Sequence, residues 1–169
     1  AGSGGIVIGN GTGTSDLTIS ENTVSNGSTG IYFLQYSPGE NGDMSGVVVT
    51  GNTLTGLTTG LRIGDGANVL ADSFTITDNL FSGNGVALDN AHATVGVAAG
   101  NNWWGDATGP QHDDNPLAGP QGDVVSGNTL PAAMRGSARP RKSLASIKTS
   151  AREPMRFSSL PPLPITMPL

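Results

Sequence analysis

The sequence predicts an all-β solenoid, in which short parallel strands wind into about four stacked coils ahead of a tail of different character. Three observations support this. Gly supplies 26 of 169 residues and charged residues only 12%, a composition poor in helix formers. Two short apolar patterns recur along the first 130 residues. Between them no segment carries the 3.6-residue period that a crossover helix would show.

The first pattern is a glycine followed by alternating apolar residues. It occurs at Gly5-Ile6-Val7-Ile8, Gly30-Ile31-Tyr32-Phe33, Gly60-Leu61-Arg62-Ile63 and Gly85-Val86-Ala87-Leu88. The second interleaves with it as LTISENTV (17–24), VVVTGNTL (47–54) and FTITDNLF (74–81). A weaker fourth copy runs from Val95 and Val97 to Asn101 or Asn102 and Trp103. Each copy alternates apolar and polar residues with period two, is rich in β-branched and aromatic side chains, and is bounded by Gly, Asn, Ser or Asp. Parallel strands need a long connection, and a coil of about 22–30 residues supplies one without a helix. Stacked about 4.8 Å apart, the coils would pair equivalent strands.

The expected inward set is Ile6, Ile8, Ile31, Phe33, Leu61, Ile63, Val86 and Leu88 on one sheet. Leu17, Ile19, Val47, Val49, Phe74 and Ile76 lie on a second, with Val24, Leu54 and Phe81 closing the circuit. Asn22, Asn52 and Asn79 repeat at one corner, where an amide that both donates and accepts can hydrogen-bond up the stack. The recurring Gly5, Gly30, Gly60 and Gly85 suggest a corner whose backbone favours glycine. GSGG at 2–5 and GNGTG at 9–13 lack a following helix or a Lys-Ser/Thr pair, so neither is a phosphate loop.

Charge divides the chain near Leu130. Residues 1–130 hold twelve acidic groups against one base, Arg62, a net charge of −11. Residues 131–169 hold seven Lys/Arg against Glu153, and seven of the 11 prolines. This basic Pro/Arg/Ser-rich tail reads as a disordered linker, as a Pro-rich ligand around Leu160–Pro164, or as an out-of-frame stretch. Zero Cys excludes disulfides and thiolate chemistry. No apolar run reaches the 18 or so residues of a membrane span. A start at Ala1-Gly2 suggests a processed form or a fragment of a larger solenoid.

The strand–turn unit I/V-x-x-N-x-V/L/F and the run NNWWGDATGP at 101–110 resemble those of right-handed parallel β-helix repeat proteins of the pectate-lyase-like superfamily. Gly109-Pro110 and the segment Gly122-Asp123-Val124-Val125-Ser126-Gly127-Asn128 are similar to the end of bacterial extracellular members. The resemblance covers about residues 4–130. It implies a right-handed β-helix, an extracellular or cell-surface location, and association with carbohydrate. One scaffold serves lyases, hydrolases, epimerases and adhesins, so it implies no single activity.

Candidate site residues follow from the outward positions of the first pattern. Val7, Tyr32, Arg62 and Ala87 would stack, with Asp65 and Asp89 close behind in sequence. Tyr32, Arg62, Asp65 and Asp89 are therefore expected to form one wall, a ring to stack on sugar and a guanidinium to hold oxygen atoms. A solvated Arg62–Asp65 ion pair is the plain alternative. No catalytic residue is assigned, because a second carboxylate cluster or a base partner is missing. In GDATGPQHDDNP (105–116), Asp106, His112, Asp113 and Asp114 lie close in sequence but match no EF-hand spacing. No cofactor or metal is expected from these residues; Ca²⁺ bridging an anionic ligand is the one exception kept open. His92 has no role, and no GxSxG elbow supports a Ser-His-Asp triad. Trp103 and Trp104 fit an end cap, with glycan stacking as the alternative.

The expected function is a structural or recognition module of a secreted or surface protein. Its partner is a polysaccharide or cell-surface glycan, or another protein, with no nucleic acid for the core and no membrane span. The second reading is the C-terminal part of a polysaccharide lyase, hydrolase or epimerase whose site lies in upstream coils.

Overall fold

A computed structural model of the chain describes residues 4–35, 39, 42–64, 67, 73–92, 95–113, 115 and 121–127. The expected tail at 131–169 lies outside the described residues, as do Asp65 and Asp114.

The first coil comprises β1 (Gly4–Gly9), β2 (Thr14–Ser15), β3 (Thr18–Ser20) and β4 (Thr23–Ser25). The second comprises β5 (Thr29–Leu34), β6 (Met44–Ser45), β7 (Val47–Thr50) and β8 (Thr53–Thr55). The third has β9 (Thr59–Ile63), β10 (Phe74–Thr77) and β11 (Leu80–Ser82). The fourth opens with β12 (Val86–Asn90) and continues through single bridges at Ala98 and Trp103. A final strand, β13 (Val124–Gly127), adds a fifth rung to the first sheet. All pairings are parallel and follow the stacking order β1-β5-β9-β12-β13, β3-β7-β10 and β4-β8-β11. The chain is a right-handed parallel β-helix, the hand that parallel crossovers take.

Alternation sends the apolar residues inward. Ile31, Phe33, Leu61, Ile63, Val47, Val49, Ile76, Leu54 and Phe81 are all fully buried. Phe33 and Phe74 meet edge to face at 4.9 Å across the interior. Ile19, Met44, Leu57, Ala67, Ala87, Leu88, Val97, Ala99, Trp104 and Val125 complete the core. Ile6, Ile8, Leu17 and Val24 of the first coil are only partly buried, because among the described residues no coil stacks on their outer side.

Two expectations about glycine are corrected. Gly5, Gly30, Gly60 and Gly85 are absent from the left-handed backbone region, so corner conformation does not select them. Gly30 and Gly60 are fixed by proximity instead. A Cβ on Gly30 would stand 2.5 Å from the Gly60 carbonyl oxygen, and one on Gly60 2.6 Å from that of Ala87. The equivalent of Gly60 in the next coil is also not Gly85. Val86 pairs with Thr59, Leu88 with Leu61, Asp89 with Arg62 and Asn90 with Ile63, which sets Ala87 beside Gly60. Ala87 carries its methyl where the pairing of β12 with β13 is irregular, between Val86 and Leu88. Thus Val86 and Ala87 exchange their expected roles: Ala87 is buried and Val86 only partly so.

The left-handed corners lie elsewhere. Glu21, Gly51, Asp78 and Asn101 all have φ near +60° and each immediately precedes a ladder asparagine. This resolves the fourth copy: Asn101 makes the corner and Asn102 joins the ladder. The backbone N–H and Nδ2 of Asn22 both donate to Asn52 Oδ1, at 3.0 and 2.9 Å. Asn52 does the same to Asn79 and Asn79 to Asn102, at 2.9–3.0 Å. Each Nδ2 of Asn52, Asn79 and Asn102 also donates to a carbonyl of the preceding coil, at Ile19, Val49 and Ile76.

Candidate functional site

The outward residues of the long sheet form one register. Val7 pairs with Tyr32, Tyr32 with Arg62, Arg62 with Asp89, and Asp89 with Ser126. Inward neighbours fix these side chains: Ile31 and Phe33 flank Tyr32, Leu61 and Ile63 flank Arg62, and all four are fully buried. Successive rungs lie about 4.8 Å apart, so side chains on adjacent coils meet.

They meet in pairs. The Arg62 guanidinium lies over the Tyr32 ring, 5.8 Å from its centroid. Its Nε stands 3.4 Å from Asp89 Oδ2, while Ser126 Oγ donates to Asp89 Oδ1 at 2.9 Å. Arg62 keeps 45% of its side-chain surface in solvent and Asp89 25%. An exposed pair of this kind contributes about 0–1 kcal/mol to stability, so the cluster does not hold the coils together. It arranges a ring, a guanidinium, a carboxylate and a hydroxyl along one line.

The structure therefore brings Tyr32, Arg62 and Asp89 together. Asp89 occupies the rung expected for Ala87, because β12 is offset from the glycine-based alignment by two residues. The partner of Arg62 within the described residues is Asp89, whereas the anticipated Asp65 lies outside them. Ser126 joins the row although the repeats do not point to it. The sequence signal nearest to it is the β-branched pair Val124-Val125 just ahead, far in sequence from β12.

Ser126 also borders a cleft of about 550 Å³ lined by Gln111, His112, Asp113, Gln121 and β13. Asp106, His112 and Asp113, close in sequence, do not gather into a metal-holding group among the described residues. Asp106 Oδ1 instead accepts from Thr108 N at 2.9 Å and Thr108 Oγ1 at 2.7 Å, and these bonds hold its carboxyl below its ordinary value. Trp104 is fully buried and stacks on Phe81 at 5.0 Å, 8° from parallel, whereas Trp103 is half-buried and bridges Leu80. Asp123 closes the same end by accepting from Gly83 N, Asn84 N and Asn84 Nδ2 at 2.8–3.0 Å.

Coils in parallel register, a laddered asparagine corner and a filled apolar interior define a solenoid of the parallel β-helix class. The chain belongs to the family of periplasmic copper-binding proteins designated NosD, whose model matches residues 3–134. No curated protein and no solved structure matches it.

Copper favours thiolate, thioether or imidazole ligands. The chain has no Cys, and Met44 is sealed in the core. His92 Nδ1 accepts the Val95 N–H at 3.1 Å. Among the described residues no three His, Asp or Glu side chains gather as a metal would require. The described residues do not fit a copper centre, and no chemistry is assigned through one. Among them, no helix is long and apolar enough to cross a membrane.

Proposed function

We propose that the chain is a recognition module that binds an extended neutral polysaccharide along the Tyr32–Arg62–Asp89–Ser126 row, without turnover. The supporting observation is the pairing of Arg62. Its charge is compensated by Asp89 while its fork remains half in solvent beside the Tyr32 ring. Such a row suits sugar hydroxyls, which accept from the guanidinium and donate to the carboxylate, with a ring face stacked on Tyr32. The core's net charge of −11 opposes a uronate chain, which would need Ca²⁺ to bridge it. Engagement of Asp89 by both Arg62 and Ser126 favours binding over acid–base catalysis. The family description points to the periplasm as the location.

Calorimetric titration of neutral and uronate oligosaccharides, with and without Ca²⁺, tests this reading. The neutral oligomer should bind the parent, and Tyr32→Ala should weaken it about tenfold, the scale of one lost stacking contact. Arg62→Ala should weaken uronate binding more than neutral binding. If neither substitution changes any affinity, the row is not a binding face and the module is a passive stalk.

A further inference from the structure

Four Asn-Gly pairs occur along the chain, at Asn10-Gly11, Asn26-Gly27, Asn41-Gly42 and Asn84-Gly85. Glycine has no Cβ to shield its backbone nitrogen, so an asparagine ahead of it is the one most open to attack by the next peptide nitrogen. The fold treats these pairs differently. Asn10 and Asn84 are buried, at 1% and 8% exposure. Asn84 is also held at both amide atoms: Oδ1 accepts from Leu57 N, and Nδ2 donates to the Leu54 carbonyl and to Asp123. The Gly85 N–H is occupied by the Leu57 carbonyl at 2.9 Å. Asn41 lies outside the described residues. Asn26 is exposed, and among the described residues no hydrogen bond holds its side-chain amide or the Gly27 N–H.

The difference comes from one corner that repeats. Asn26, Gly56 and Gly83 follow the paired Ser25, Thr55 and Ser82, and all three are left-handed, with φ of 57°, 62° and 68°. In the later coils the N–H after this corner finds a side-chain acceptor one coil on. Leu57 N meets Asn84 Oδ1 at 3.0 Å, and Asn84 N meets Asp123 Oδ2 at 2.9 Å. The residue one coil on from Gly27 is Leu57, whose side chain offers no acceptor. We propose that Asn26-Gly27 is a self-modification site, at which the Gly27 nitrogen displaces the Asn26 amide as ammonia. The nitrogen gives its proton to hydroxide and attacks Asn26 Cγ. The Cγ–Nδ2 bond breaks, ammonia leaves with a proton from water, and a five-membered imide closes. Water then opens the imide without any change of oxidation state. Cleavage at Cγ–N gives aspartate; cleavage at the Asn26 carbonyl carbon gives isoaspartate, with the chain rerouted through Cβ. Either product adds a negative charge to a core already at −11, and isoaspartate also lengthens the corner between β4 and β5.

The folded chain is incubated at mildly alkaline pH beside a sample held unfolded in urea. Peptide mapping by mass spectrometry follows acid formation at Asn10, Asn26 and Asn84, and enzymatic carboxyl methylation reads isoaspartate. In the folded chain Asn26 should convert about tenfold or more faster than Asn10 and Asn84, which react only through local opening. In urea the three rates should draw together. Leu57→Asn sets an acceptor opposite the Gly27 N–H without touching the reacting pair. Where melting shows this variant folded, Asn26 should convert severalfold more slowly than in the parent. Conversion of Asn10 or Asn84 as fast as Asn26 in the folded parent, or the same ratio of rates in urea, would overturn the proposal, and this comparison decides it even if the variant does not fold. Unslowed conversion of Asn26 in folded Leu57→Asn would overturn it too.

Discussion

Asn79 is held on every side: it accepts from Asn52, donates to Asn102, and donates to the Val49 and Thr77 carbonyls. Replacing it by Ala strands the buried Asn52 N–H and the Val49 carbonyl, each costing about 1–3 kcal/mol when left without a partner. Asn79→Ala should therefore lower stability by about 3 kcal/mol, read as a shift in urea midpoint at constant slope. Asn22→Ala, at the open end, should cost distinctly less. Asp106 carries the pH dependence expected of a single residue. Its folded carboxyl titrates below the ordinary 3.8 because Thr108 donates to it twice. That contribution is complete above 3.8 and disappears as pH falls through the lower folded value. The Thr108 amide resonance should report this on acidification and should be insensitive to acid in Asp106→Asn.

Among the elements, the strand-and-turn units are legible in the sequence because their signal is local. Period-two alternation places β5, β7, β9 and β10 and names most of the core from Ile31 to Ile76. The asparagine spacing marks the ladder, because a side chain that both donates and accepts, repeated at one corner, can bond to its own kind in the next coil. Alignment on glycine misplaces β12. What repeats there is lack of room beside the next backbone, and the irregular β12–β13 pairing accommodates a methyl at Ala87. Met44 and Leu57 belong to no alternating run, yet both turn inward, Met44 from the two-residue β6 and Leu57 from the turn between β8 and β9. At the closed end, two adjacent tryptophans divide by alternation. Trp104→Ala should cost about 3–5 kcal/mol through the cavity left against Phe81, while Trp103→Ala should cost much less. Thermal melting of the two variants checks the difference. Equal losses would contradict the assignment of Trp104 as the cap.

At the scale of the molecule, each coil contacts only its neighbours, so stability accumulates coil by coil and an end without a cap is its weakest point. The flat long sheet is a product of the same stacking, which lines up one outward residue per coil. Repeat spacing alone places Tyr32 over Arg62. It does not place Asp89 or Ser126, whose rungs depend on how an irregular fourth coil returns to the sheet. The family's copper has no counterpart among the described side chains, so the binding proposal rests on that outward row. Amide chemical-shift mapping with a neutral oligosaccharide tests it most directly. Binding along the row should move the resonances of Tyr32, Arg62, Asp89 and Ser126 together, in one saturable process, while those of β7 and β8 stay fixed. Shifts confined to another sheet, or none at all at millimolar oligosaccharide, would contradict it.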